Sequence, residues 1–415
     1  MPMPIQGLPT LLGAAPSPST PLGPLRDGAI AWTTWATLMS FVGVLALALL
    51  GAGPVAVRHG QHSLESVTAR LARVAVIAGM LSIPAVLTDL AHDADEAGGY
   101  DYGAAWSTLF DGTNDGRLSG IEVTMLALGV LLVLPLILRS RAAGRARRWQ
   151  LAGGLLAGAV ALGTTKFPDA VPKDWGRTSF QTLMWLLHLL GGGVWIGGLI
   201  GLVAIALPGA LAGTDRSAFW SPVIRRFSVM AMSCVGAIAL SGLWLYWEHV
   251  DGPTQLFTTM YGRVLGVKIL IFGTMLLLGM VNQFWLHPRI DALRATGEDR
   301  RLPILLARQF PAVVAVEVLL GLGVLLVAPF LHGSARNQAF QEQAAKHATS
   351  ETKKLPRIAV KQVSTSTWVY GTGETVAVVV IMAAAYRASG RISKRRQASG
   401  QARQPDAKAT AAAPG

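Results

Sequence analysis

Residues 184–199 read MWLLHLLGGGVWIGGL, and the chemistry they offer is that of a soft metal ion. Met184 and His188 are four positions apart, so on a helix they share one face about one turn apart. Trp195 continues that face. A thioether beside an imidazole suits copper, because soft sulfur selects Cu(I) while imidazole accepts either oxidation state. The competing reading is structural: His188 hydrogen-bonds across a helix bundle and Met184 fills a gap. Gly191, Gly192, Gly193, Gly197 and Gly198 let a neighbouring backbone approach this helix closely.

Other donors end neighbouring apolar runs. His92, His249 (beside Glu248) and His332 fall at the same expected level as His188, and with Asp89, Asp93, Asp95 and Glu96 they could form a funnel that collects a cation. The alternative is that each is a solvated interfacial group. His59, His62 and His287 belong to the opposite side. Met230 and Cys234 share one helix face, which suits either a sulfur relay for Cu(I) or plain core packing.

Five ionisable residues lie inside apolar runs: Glu122, His188, Lys268, Glu317 and Glu374. A bare charge at mid-bilayer is expensive, so each is expected to face the bundle interior, pair, or reach an interface. Lys268 is close enough to the boundary to snorkel, or to pair with Glu122 or Glu374. Glu317 is deeper and is the candidate for a proton-coupled or ion-path carboxylate. There is no Gly-rich phosphate loop, aspartyl-phosphate segment or Cys-Pro-Cys, so ATP-driven pumping is not expected.

The elements that must position these groups are membrane helices. The chain is 52% hydrophobic and only 14% charged, against about a quarter charged in soluble domains. Crossing roughly 30 Å of hydrocarbon takes about 20 apolar residues. Such runs occur near 33–57, 72–91, 118–138, 149–165, 181–207, 224–248, 263–285, 309–331 and 368–386, which predicts an all-α polytopic protein of about nine spans. The net charge of +13 carries no basic stripe interleaved with aromatics, so nucleic acid is not an expected partner; the lipid bilayer is. Loops on one side hold 23 Lys and Arg and those on the other 12. Since short cytoplasmic loops are the basic ones, the N-terminus is expected outside and the C-terminus in the cytoplasm of the plasma membrane. The lone cysteine, Cys234, excludes an internal disulfide.

The expected organisation is a disordered lead (1–30), a four-helix half (31–166), a second four-helix half (180–332), an outer loop (333–366), a ninth helix (367–387) and a basic disordered tail (388–415). A weak repeat relates the halves. LFDGTNDGRLSGIE (109–122) and LFTTMYGRVLGVK (256–268) both reach Gly-Arg at a helix start and then place an ionisable residue, Glu122 or Lys268, five positions after the Arg. Transporters are often built from such repeats.

From helix five onward the pattern resembles the CopD family of copper resistance proteins. The segments are HLLGGGVWIGGL, RRFSVMAMSCVGAIALSGLW, LFTTMYGRVLGVKIL and FPAVVAVEVLLGLGVLL. The matching residues are His188, Trp195, Gly197, Gly198, Arg226, Phe227, Ser228, Gly242, Thr259, Tyr261, Gly262, Arg263, Lys268 and Glu317. The resemblance implies a plasma-membrane protein that moves copper, commonly inward, with a periplasmic or surface copper chaperone as partner. It gives no role to the ninth helix or the basic tail. The His…Trp-x-Gly-Gly and Gly-x-x-x-x-Lys helices are also similar to HemJ-type protoporphyrinogen oxidases. That likeness implies haem b, with His188 as axial ligand and Lys268 facing the tetrapyrrole carboxylates. A third expectation is a scaffold that delivers copper to a membrane cuproenzyme.

Overall fold

The computed structural model describes residues 25–94, 99–138, 144–168, 170–211, 216–281, 310–331, 333–347 and 355–402, which form helices with no strand among them. The first, α1 (Leu25–Ala46), runs through a π-turn (Leu47–Ala52) into α2 (Gly53–Arg58). Then follow α3 (Gln61–Asp93), α4 (Tyr102–Thr108), α5 (Asn114–Val133), α6 (Pro135–Leu138) and α7 (Gly144–Thr164). The second part has α8 (Trp175–Ala206), α9 (Arg216–His249), α10 (Gln255–Thr258), α11 (Met260–Val281) and α12 (Phe310–Val327). Last come α13 (Ala335–Lys346) and α14 (Thr365–Ala402).

Among the described residues eight helices are long and apolar enough to cross a membrane. The protein is an all-α polytopic membrane protein. The expected fourth span is present as α7 and packs along α5, but it is not one of the eight; its first turn carries Arg145, Arg147 and Arg148.

Helices extend further than the apolar runs. The start of α1 reaches back to Leu25, inside the segment expected to be an unstructured lead, because Asp27 meets His92 Nε2 at 3.0 Å and the Arg26 guanidinium lies 5.3 Å from the Tyr100 ring. α3 begins at Gln61 and α9 at Arg216, where loops were expected, since the Ala-, Arg- and Ser-bearing lead-ins keep adequate helix propensity. The expected outer loop contains α13, capped by the Ser334 hydroxyl accepting from Asn337 N at 3.1 Å. α14 continues to Ala402, past the expected boundary at 387. Asp95, Glu96, His287 and His332 lie outside the described residues.

The centre of the bundle is the crossing of α1 and α8, made close by glycine. A Cβ on Gly43 would stand 2.2 Å from Gly193 O and 2.5 Å from Gly197 Cα; one on Gly197 would stand 2.5 Å from Met39 O. These are backbone atoms, so the helices would have to separate. Beside the crossing, the fully buried Phe41 ring fills notches at Gly79, Gly129 and Gly158 on three different helices.

Around that crossing the two halves repeat one packing scheme. α1 packs on α3 and α7, and α5 packs on α7; correspondingly α8 packs on α9 and α12, and α11 on α12. The sequence repeat also has a common local structure. Thr113 accepts from Gly116 N at 3.0 Å, and Thr259 accepts from Gly262 N at 3.0 Å, so each Gly-Arg pair follows a threonine whose hydroxyl accepts from an N–H in the first turn of the next helix. Both glycines are forced by close approach: a Cβ would meet Thr108 O at 2.3 Å on Gly116 and Gln255 O at 1.9 Å on Gly262. One correspondence is weaker: α3 packs along α5, whereas among the described residues α9 meets α11 chiefly at the His249–Tyr261 stack. Among the described residues, a Cβ on Gly192 of α8, or on Gly266 or Gly273 of α11, would meet no atom within 4 Å.

Candidate metal-ion site

His188 is half-buried on α8 and meets Ser241 of α9, which is fully buried. The Ser241 hydroxyl donates to Ala237 O at 2.6 Å, which commits its one proton. Towards His188 Nδ1, 3.1 Å away, Ser241 Oγ must therefore accept. Nδ1 carries the ring proton, and among the described residues Nε2 has no hydrogen-bond partner. A metal-ligating imidazole needs this arrangement: one nitrogen held by a hydrogen bond, the other free to coordinate. Gly242 leaves room for the ring, since a Cβ there would lie 3.7 Å from His188 Cε1.

His249, in the last turn of α9, repeats the arrangement. Its Nδ1 faces Leu245 O at 2.8 Å, and a carbonyl only accepts, so Nε2 is again the free nitrogen. The ring stacks on Tyr261 with centroids 6.0 Å apart. Between the two histidines stands Trp185, edge-to-face with His188 at 6.4 Å and with His249 at 6.5 Å. The face of Trp185 is covered by the Lys166 ammonium, 4.7 Å from the ring centroid and 6.0 Å from that of Trp35. Burial lowers the Lys166 ammonium from its ordinary range.

The remaining expected residues divide. Met184 is half-buried on α8, one turn before His188. Lys268 of α11 acts electrostatically on the His188 ring. Among the described residues it has no ion-pair partner, so the expected pairing with Glu122 or Glu374 does not occur. Glu122 instead faces Asp89, and Glu374 is exposed on α14 near Tyr246. His92 is held at both nitrogens, by Asp27 and by Gly99 O at 3.2 Å, and ties α3 to the start of α1. Met230 packs against the hydrophobic core and Cys234 lies within it, 8% exposed. Among the described residues no three His, Cys, Asp or Glu gather into a metal-binding cluster; Asp95, Glu96 and His332 of the expected funnel lie outside them.

Most of the resembling motif builds the scaffold. Arg226 donates to Leu50 O at 3.2 Å, the carbonyl four residues before Pro54 that a proline cannot satisfy. The Phe227 ring sits in the notch at Gly198. Arg263 donates to Phe257 O at 2.9 Å. Trp195, buried, meets Phe272 edge-on at 5.8 Å. Among the described motif residues, Glu317 is 4% exposed and its Oε1 is buried without a hydrogen-bond partner.

Residues 221–331 match the family model "Copper resistance protein D". That segment is similar to the CopD family. The CopD segment takes in most of α9 together with α10, α11 and α12, and His188 precedes it on α8. Over 120 residues the chain is 36% identical to the "Copper transport protein CutJ" of Bacillus subtilis (strain 168), covering 29% of this chain and 21% of that protein. Over 175 residues it is 29% identical to "Copper resistance protein D" of Pseudomonas syringae pv. tomato, covering 41% of this chain and 54% of that protein. The matched regions thus span about a fifth and about half of these relatives. No solved structure matches.

Sequence reasoning missed Ser241, Trp185 and Lys166. Ser241 is legible as the one hydroxyl beside a glycine in an otherwise apolar stretch, ALSGLW; Trp185 lies three residues before His188; Lys166 offers no signal beyond ending an apolar run.

Proposed function

We propose that this chain moves copper inward across the plasma membrane, taking it up at His249 and passing it to His188 on α8. The single observation that carries this reading is the Ser241–His188 hydrogen bond, which leaves Nε2 unprotonated and presented. Met184, one turn away, supplies a soft thioether for Cu(I). Deeper in the bundle, the unpartnered Glu317 carboxyl is the group on which an ion or a counter-moving proton would be held. The basic-loop bias supports an outside N-terminus and a cytoplasmic C-terminus, which puts His249 at the outer face. A periplasmic or surface chaperone is the expected donor.

Copper uptake into proteoliposomes tests the proposal. Wild type should accumulate copper, His188→Ala should not, and His347→Ala, at the C-terminal end of α13, should behave as wild type. Normal uptake by His188→Ala removes the site; no uptake by wild type leaves only the scaffold that delivers copper to a cuproenzyme. The closeness of Lys268 to His188 suits one other ligand, haem b, whose iron would take the imidazole and whose carboxylate the ammonium. A Soret band in the purified protein would favour haem.

A further inference from the structure

The donors at the proposed site are neutral and the charges around them are positive. Met184, His188 and His249 contribute a thioether and two imidazoles with free Nε2 atoms. Lys166 places its ammonium 4.7 Å from the centroid of the Trp185 ring, which forms T-shaped pairs with both imidazoles at 6.4 and 6.5 Å, and Lys268 acts on His188 from α11. Among the described residues the nearest acids of α9 and the loop after it are already paired: Glu248 is engaged by Arg177 at 3.7 Å and by Gln181 at 3.3 Å, and Asp251 is held by Arg336 and Lys361.

We infer that the two ammonium groups, Lys166 and Lys268, make this site selective for a monovalent soft cation, Cu(I), over Cu(II) and other divalent ions. The inference rests on the proposed copper site and names the ion it accepts. Repulsion by a fixed charge scales with the charge of the ion, so each lysine opposes a divalent ion with twice the free energy it sets against a monovalent one. A neutral thioether and imidazoles bind a soft monocation without a carboxylate, whereas a divalent ion in the same place finds these nearest carboxylates already paired. The Lys166 ammonium already covers the face of Trp185, a position that attracts monocations through the ring quadrupole.

The test is a comparison of ratios on the purified full-length protein. Affinities for Ag(I), a non-oxidising stand-in for Cu(I), and for Zn(II) are measured by competition with buffered chelators. The proteins are wild type, Lys166→Met, Lys268→Met, the charge-keeping Lys166→Arg, and Arg58→Gln at the end of α2 as a remote charge. At an effective dielectric of about 20 and a separation of about 10 Å, removing one charge should tighten Ag(I) by on the order of tenfold and Zn(II) by about the square of that factor. Arg58→Gln should change neither affinity, and Lys166→Arg, which keeps the charge, should keep the wild-type ratio of Ag(I) to Zn(II) affinity. Equal factors for the two ions, or no change, overturn the inference. If Lys166→Met does not fold, Lys268→Met carries the comparison, because a ratio of two ions on one protein is independent of the folded fraction. Ag(I) binding that His188→Ala leaves intact would instead overturn the site itself.

Discussion

Removing the Ser241 hydroxyl separates a metal site from a packing histidine. In Ser241→Ala the His188 ring loses the hydroxyl that faces its Nδ1, in a position where Ser241 is fully buried. The folded state then loses a neutral hydrogen bond worth about 1 kcal/mol, rising to about 1–3 kcal/mol if Nδ1–H stays unsatisfied. The ring can escape that cost by moving its proton to Nε2, which is the nitrogen a metal needs. The larger effect therefore falls on binding: loss of a group that orients a metal-ligating histidine costs 10–100-fold in affinity as a rule, or about 1.4–2.7 kcal/mol. Ag(I) competition and a thermal melt on the same variant read the two effects separately. Affinity should fall 10–100-fold while Tm drops by only a few degrees. Ser241→Thr, which keeps a hydroxyl, should recover much of the affinity. Unchanged affinity in Ser241→Ala, with the melt alone shifted, would show that the bond only packs α8 against α9.

Further outcomes follow from other parts of the bundle. Gly43→Leu should prevent folding, read as loss of a monodisperse peak in detergent, because the nearest atoms are backbone of α8 only 2.2–2.7 Å from the added Cβ. Thr113→Ala and Thr259→Ala should each cost about 1 kcal/mol in unfolding experiments, the two values agreeing because both remove the same cap. Lys166 gives a pH signature. Burial lowers its folded pKa below the ordinary 10.5, so between the two values the unfolded chain binds more protons and stability should rise with pH. Lys166→Met should flatten that rise in thermal melts taken at increasing pH.

How much of this was legible in the sequence differs by scale. Apolar runs located the helices, because twenty lipid-compatible residues in a row have few other uses, and the glycine run at 191–198 announced the close α1–α8 crossing. Helix ends were not legible: α3 and α9 begin in polar sequence that is helical without being apolar. The repeat at Gly116-Arg117 and Gly262-Arg263 was visible as letters, but the shared threonine caps appear only in the backbone. His188 stood out as an ionisable group in an apolar helix. Its tautomer did not, since that depends on a serine 53 positions away.

The most direct measurement is X-ray absorption at the copper edge on the full-length protein loaded with one equivalent of Cu(I), compared with His188→Ala. Copper bound at His188 Nε2 predicts imidazole scattering in the wild type that is lost or halved in the variant. An identical copper environment in both proteins would place the ion elsewhere and contradict the account.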